Sequence, residues 1–323
     1  MVGTALVDAP LVAGVELGGT KCVVLLATGP NDIRAEARID TTTPHETLDA
    51  IEERLREWRG KHRFRAIGLA SFGPLELDPG QADHGCIVNT PKPGWSGTDL
   101  IRRALRFGLP LALDTDVNGA ALAEGRWGGA QGLSSFAYVT VGTGIGIGSI
   151  VNGLPVRGLG HSEAGHLRVP RLPGRKWPGA CPYHGDCVEG IAAGPAILAQ
   201  AGFPAETLTR SDPVWDDVVQ ALAGCFHNLV LTTAPERILI GGGVGQGQAH
   251  LLPRIRAALV ESLNGYGAAP RIAAAVDAFL VHPALGNRAG PMGAIALAQN
   301  VLAQNVLAQN ALAQNALAQS PSG

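Results

Sequence analysis

The sequence predicts a duplicated α/β fold of two domains, and three observations lead there. The chain has 323 residues, beyond the point at which one hydrophobic core stops growing, so two domains are the default. A pattern of strand, tight glycine turn and strand over residues 11–27 returns over residues 136–151, giving one glycine hairpin in each half. Between the hairpins, residues 109–113 read as a strand running into Asp114-Thr115-Asp116-Val117-Asn118, and residues 119–124 read as a helix.

Each element of the first hairpin has a physical reading. Residues 11–17 and 22–27 are apolar strands, and Gly18-Gly19-Thr20-Lys21 turns between them. Glycine leaves backbone N–H groups unshielded, and a concave set of such groups holds phosphate oxygens without net positive charge. Glu16 is a candidate partner for hydrated Mg2+, joined by the Thr20 hydroxyl and the Lys21 ammonium. The second hairpin repeats the device at Gly142-Thr143-Gly144, and two hairpins facing one another could grip a polyphosphate; taken singly, each also reads as an ordinary β-turn. No Gly-x-x-x-x-Gly-Lys-Ser/Thr occurs, and Gly142, Gly144, Gly146 and Gly148 alternate along a strand instead of opening a helix. P-loop and dinucleotide fingerprints are both excluded.

The acid after residues 109–113 stands where α/β sheets bind ligands, at the C-terminal end of a strand, which makes Asp116 a natural general base. Asp114 or Asp116 capping the following helix explains the same residues equally well. Further on, strand 237–240 leads into Gly241-Gly242-Gly243-Val244, and Leu285-Gly286-Asn287-Arg288 precedes a helical run from Met292. Small residues at both turns leave room for a flat adenine ring, although a plain strand-to-helix turn accounts for Gly241 nearly as well.

His166, fourteen intervening residues, then Cys181-Pro182-Tyr183-His184-Gly185-Asp186-Cys187 bring two imidazoles and two thiols into a spacing that suits one tetrahedral Zn2+. Four protein ligands leave no position for an activated water, so such a site is structural. Glu163 and Glu189 flank the loop and would serve as acceptors for a polyol, with glycines on either side to let a ligand approach. The plainer reading is a loop that merely contains these residues, beside solvated surface acids.

Composition bounds the partners and the compartment. Apolar residues make up 46% of the chain and the formal charge is −2, which argues against a nucleic-acid or membrane-surface footprint. No run reaches the length of a membrane span, and residues 1–14 lack the basic start and long apolar core of a signal peptide. The expected location is the cytoplasm. Cys22, Cys86 and Cys225 are expected to be reduced thiols in apolar or irregular surroundings.

Six ordered motifs carry a family resemblance. Glu16-Leu17-Gly18-Gly19-Thr20-Lys21, Thr115-Asp116-Val117-Asn118, Gly142-Thr143-Gly144-Ile145-Gly146, Glu163-Ala164-Gly165-His166, the Cys181 to Cys187 loop and Gly241-Gly242-Gly243-Val244 resemble, in that order, the ROK sugar kinases. The resemblance spans roughly residues 11–298 and is strongest to the bacterial fructokinase branch. It implies the actin/hexokinase-like, ribonuclease H-like duplicated fold, with Mg-ATP between the glycine hairpins and a sugar at the domain interface. It also implies Asp116 as base, Gly73, Thr115, Glu163, His166 and Glu189 as sugar contacts, and His166, Cys181, His184 and Cys187 as zinc ligands. A homodimer is the expected assembly.

Three features favour fructose within the family. Glu16 stands where many relatives have Asp, Cys181-Pro182-Tyr183-His184 where many have Cys-x-Cys-Gly, and Thr115 where glucokinases typically carry Asn. Asn89-Thr90-Pro91-Lys92-Pro93-Gly94-Trp95 is similar to a Thr-Pro-Lys-x-Gly-Trp loop of the fructokinases, leaving Trp95 as either a pocket wall or a hydrophobic anchor. Ser71-Phe72-Gly73-Pro74 resembles a family loop beside the sugar. The expected reaction is transfer of the ATP γ-phosphoryl group to fructose. The alternatives are a glucose, mannose or N-acetylhexosamine kinase of the same family and a non-catalytic sugar-sensing protein. Sensors of this family add an N-terminal helix-turn-helix, for which the first strand at Leu11 leaves no room.

Domain boundaries are expected near Leu113 and Gly290, with the first domain rejoined by the closing helix from about residue 291. From Ala298 the chain repeats Ala-Gln-Asn-(Val/Ala)-Leu. Five residues advance a helix by about 140° beyond a turn, so the leucines spiral instead of forming a stripe. Residues 299–323 are expected to be a low-complexity tail whose early part extends the last helix and whose later part frays.

Overall fold

Two five-stranded sheets are built with the same strand order. The computed structural model describes residues 9–318; residues 1–8 and 319–323, which include the start read for a signal peptide and the end of the repeat tail, lie outside it. The chain divides into two compact units, one formed by residues up to Gly119 and from Gly290 onward, the other by Ala120–Ala289.

In the first unit β1 (Val12–Leu17), β2 (Lys21–Gly29) and β3 (Asp32–Asp40) form an antiparallel meander. After α1 (Pro44–Lys61), β4 (Ile67–Ser71) adds parallel to β1. The ribbon β5 (Cys86–Ile87) and β6 (Thr98–Asp99) and the short α2 (Ile101–Leu105) precede β7 (Leu111–Thr115), parallel to β4. The order is β3-β2-β1-β4-β7. Strands β1 and β2 are nearly continuous buried runs because both faces are covered, whereas β3 alternates half-buried and exposed residues at the sheet edge. Helix α1 starts where the Thr43 hydroxyl accepts from Glu46 N, with Pro44 in its first turn, and it lays Ile51, Leu55 and Trp58 on the sheet.

The chain leaves this unit along α3 (Asp116–Trp127). In the second unit β8 (Phe136–Val141), β9 (Ile145–Val151) and β10 (Leu154–Pro155) form an antiparallel meander. Helices α4 (Val188–Ala192), α5 (Gly194–Ala201) and α6 (Val214–Thr233) follow, then β11 (Arg237–Gly241), α7 (Gly242–Gly247), α8 (Leu251–Leu263), α9 (Ala269–Ala274), α10 (Val276–Phe279) and β12 (Leu280–Val281). The order β10-β9-β8-β11-β12, with β8, β11 and β12 parallel, reproduces the first sheet strand for strand. Helix α6 contributes Trp215, Val218, Leu222, Phe226 and Leu229 to the core beneath it.

Three details differ from the sequence reading. The last strand of the first sheet is Leu111–Thr115, two residues later than expected, because it pairs in register with β4 from Ile67↔Leu111 to Ser71↔Thr115. Asp114 through Gly119 therefore group with the first unit instead of opening the second. The tail does not fray where it is described: α11 (Ala289–Ala318) is one helix, since Ala, Leu and Gln favour helix and no Gly or Pro interrupts the repeat. Val306 and Leu307 are 49% and 69% exposed, as the spiral of leucines requires. Among the described residues no helix is long and apolar enough to cross a membrane.

Helix α11 lies directly on the backbone of β1 and β4. An added Cβ at Gly68 would overlap the carbonyl oxygen of Ala294, and one at Gly14 would lie 2.9 Å from Ile295 N. Gly68→Ala is expected to destabilise the protein by about 1–3 kcal/mol through overpacking, read as a lower denaturation midpoint. Truncation after Gln304 leaves both the midpoint and the kinetics unchanged.

Candidate active site and metal centre

The C-terminal edge of the first sheet gathers the candidate catalytic groups. Glu16, Ala70 and Asp114 align across β1, β4 and β7, and Leu17, Ser71 and Thr115 follow one step later. The turn after β1 is closed by Gly18 N donating to Lys21 O (3.1 Å), and Thr41 braces it by donating its hydroxyl to Gly18 O (2.7 Å) and its N–H to Thr20 O (2.9 Å). Gly19, Thr20 and Lys21 are left exposed at its tip.

Helix α3 begins at this edge, and its cap is resolved by geometry. The Thr115 hydroxyl accepts from Asn118 N (3.2 Å), the usual N-cap bond. The buried Asp114 carboxylate accepts from Thr115 N (2.7 Å) and Asn118 Nδ2 (2.9 Å). Capping is thus done by Thr115, with Asp114 holding the turn, and Asp116 is released from that role; its carboxylate accepts from Val117 N (2.9 Å). Burial pushes the Asp116 acid up to about 6, against which its backbone hydrogen bonds work. Glu16 is pushed up to about 7 by burial and by the charge of Asp116, with Lys21 pulling the other way. Burial thus holds both acids toward the protonated form. Oxygen donors of this kind suit Mg2+.

In the second unit the hairpin β8–β9 closes with Gly142 N donating to Gly144 O (2.9 Å), while Gly142 O accepts from Gly194 N at the start of α5 (2.7 Å). Thr143 is exposed at the tip. The Gly241–Gly243 turn joins β11 to α7, and Asn287 is exposed on the short 3-10 turn before α11. That second loop is set by a residue the sequence reading missed. Glu124, fully buried on α3, accepts from Gly129 N (2.6 Å), Ala284 N (3.1 Å) and Leu285 N (2.8 Å). The signal was present as an acid after the apolar run Ala120-Ala121-Leu122-Ala123 and before Gly128-Gly129.

The four predicted metal ligands come together. The ligand atoms of His166, Cys181, His184 and Cys187 all lie within 4.8 Å of one another. His166 Nδ1 is 3.6 Å from Cys181 Sγ and 3.5 Å from Cys187 Sγ, and His184 Nδ1 is 3.7 Å from Cys181 Sγ. Bonds of about 2.0–2.3 Å to one tetrahedral Zn2+ would set the donors about 3.3–3.8 Å apart, so both the spacing and the donor chemistry fit that ion. The loop owes its shape to a backbone bridge between Cys181 and Gly185, with Gly185 at φ 62°, a left-handed conformation glycine adopts readily. Burial raises the Cys187 thiol to about 11, and a metal ion binding its sulfur would displace that proton.

The flanking acids diverge. Glu189 on α4 accepts from Ile145 N through Oε2 (2.9 Å), and its Oε1 lies 4.0 Å from His166 Nε2. Glu163 is exposed and faces His161, whose Nδ1 is 3.4 Å from its Oε1. Gly73 follows β4 in a half-buried loop. Trp95 is an anchor: fully buried, it donates Nε1–H to Thr42 O (3.0 Å) and meets Phe72 edge-on with ring centres 5.2 Å apart. All five cysteines are free thiols.

Two sheets of identical order, each opened by a glycine hairpin, define a protein of the actin/hexokinase-like class. Residues 12–301 match the ROK family, and the chain belongs to that family. A fructokinase of Pediococcus pentosaceus is 38% identical over 290 residues, which cover 90% of this chain and 98% of the relative. The ROK hexokinase of Thermus thermophilus superposes with a TM-score of 0.75 at 29% identity, over 91% of this chain and 99% of that structure. A ROK glucokinase of Streptomyces griseus, solved with glucose and AMPPNP, gives a TM-score of 0.70 at 25% identity, over 90% and 99% of the two chains.

The raised Asp116 acid has a stability consequence. Unfolded, this carboxyl titrates near 3.8 and folded near about 6, so between those values the folded state holds a proton that the unfolded state has released. Its contribution to stability therefore falls as pH rises through that window. Asp116→Asn removes the charge and should stabilise the protein by about 1–3 kcal/mol at pH 8, an advantage that disappears below pH 4; thermal denaturation across pH measures it.

Proposed function

We propose that this sugar kinase transfers the γ-phosphoryl group of ATP to the primary hydroxyl of fructose, giving fructose 6-phosphate, with Asp116 as general base. The observation that carries the reading is the release of Asp116 from capping. It stands at the C-terminal end of the parallel strands β1, β4 and β7, half-buried, with its affinity for protons raised toward neutrality, the tuning that proton abstraction near pH 7 demands. The fructokinase relative and the ATP analogue in the glucokinase structure support the same reaction class.

In this mechanism the Asp116 carboxylate accepts the hydroxyl proton as the sugar oxygen attacks the γ-phosphorus and ADP departs in line. Backbone N–H groups of the Gly18–Lys21 and Gly142–Gly144 turns, with the Thr20 and Thr143 side chains and the Lys21 ammonium, answer the charge on the phosphoryl oxygens. The Gly241–Gly243 turn and Asn287 accept the adenosine end. When bound, Mg2+ neutralises charge on the β- and γ-phosphoryl oxygens, and Glu16 is the acid placed to hold its hydration shell. Gly73, Thr115, Glu163, His166 and Glu189 orient the hexose. His166, Cys181, His184 and Cys187 would hold a structural Zn2+, which would keep the sugar loop in shape.

The glucose found in the glucokinase structure favours a second substrate, but its lower identity and the Thr115 of this chain support fructose. Asp116→Asn is expected to lower kcat by about 10²–10⁴ while Mg-AMPPNP affinity stays within about threefold of wild type; a kcat within threefold of wild type removes Asp116 from the role. On a panel of fructose, glucose, mannose and N-acetylhexosamines, kcat/KM should be highest for fructose.

Stripping zinc with a chelator should lower the thermal midpoint and the sugar affinity together, because loop folding and metal binding are one equilibrium. Elemental analysis before and after records the metal.

A further inference from the structure

Glu189 touches two elements to which separate roles are assigned above. Its Oε2 accepts from Ile145 N (2.9 Å), and a Cβ added at Gly144 would lie 2.8 Å from that same oxygen. The carboxylate thus braces the returning limb of the Gly142–Gly144 turn. Its Oε1 lies 4.0 Å from His166 Nε2, on the opposite side of the ring from Nδ1, which faces both cysteine sulfurs. A second contact runs the same way, since the turn carrying His166 presses Gly165 so close to Ile145 O that no Cβ could be fitted. Cys187, a candidate ligand, caps α4 by accepting from Gly190 N (3.4 Å), and Glu189 sits within that cap. Displacing the thiol therefore displaces the acid.

We propose that Glu189 is a positioning residue through which occupancy of the Cys/His cluster strengthens nucleotide binding at the second hairpin. The inference rests on the metal and phosphate roles proposed above. A neutral imidazole carries one N–H, and a metal on Nδ1 assigns that proton to Nε2. His166 then becomes a fixed donor toward Glu189. The 4.0 Å gap is longer than a hydrogen bond, and a shift of about 1 Å or one bridging water closes it. With Oε1 held by His166 and Oε2 by Ile145 N, the Gly142–Gly144 amides are fixed before any phosphate arrives. Without the metal the imidazole proton is free to sit on either nitrogen, and the brace loses one anchor.

The test is a thermodynamic cycle on the full chain with Mg-AMPPNP as probe and no sugar present. Wild type, Glu189→Ala and Glu189→Gln are compared zinc-loaded and zinc-stripped, with Mg2+ restored and zinc content measured each time. Stripping should weaken Mg-AMPPNP binding about tenfold in wild type and less than twofold in Glu189→Ala, which starts weak. Glu189→Gln keeps an oxygen for Ile145 N–H but opposes the His166 N–H with its own amide donors. It should bind nucleotide about as weakly as zinc-stripped wild type whether or not zinc is present, and it carries the test alone if Glu189→Ala does not fold. An equal response in wild type and the variants, or none in wild type once zinc has left, overturns the proposal. A protein that holds no zinc, or binds no AMPPNP at all, overturns the underlying site assignment and the proposal with it.

Discussion

Burying a carboxylate strips it of water, and the loss is tolerable only where donors or cations replace that water. Three acids in this chain meet the constraint to three different degrees, and their differences organise the molecule. Glu124 is fully buried and accepts from three backbone N–H groups of two loops, which makes it a rigid fastening. Glu189 is half-buried, with one oxygen on Ile145 N and the other turned toward His166, so it lies between two elements and fastens one of them. Asp116 is left under-served, with Val117 N as its donor and a raised affinity for protons, the condition that the proposed proton transfer requires.

Much of the fold was legible because its signals are local. Glycine hairpins announce themselves by composition, and the repeat of strand, turn and strand foretold two sheets that turn out to share one strand order. The Cys181 to Cys187 loop was equally readable, because ligand spacing within a short loop is nearly the geometry itself. His166 was readable only as a distant fourth member, and the structure brings it within reach of both thiols.

What escaped the sequence depends on long-range pairing. The sequence offered Asp114 and Asp116 as caps for α3, whereas Thr115, the last residue of β7 in register with β4, does the capping, and register is set by neighbours absent from the local pattern. Glu124 was passed over for the same reason, since its partners lie 160 residues further along the chain at Ala284 and 161 at Leu285. For Trp95 the sequence left a pocket wall and a hydrophobic anchor open, and the distant Thr42 O and the Phe72 ring make it an anchor. The boundary between units was misplaced by a few residues because the chain crosses it within a helix, leaving no linker composition to mark it.

Helix α11 carries one more implication, for the repeat at its end. Each added Ala-Gln-Asn-(Val/Ala)-Leu unit turns the next leucine about 140° from the last, so lengthening the array distributes apolar side chains around the cylinder and creates no adhesive seam. The inner turns, which lie on β1 and β4 through Ala294 and Ile295, are unaffected by what is appended beyond them. A change in copy number at this end is therefore expected to leave the packing of the first sheet as it is.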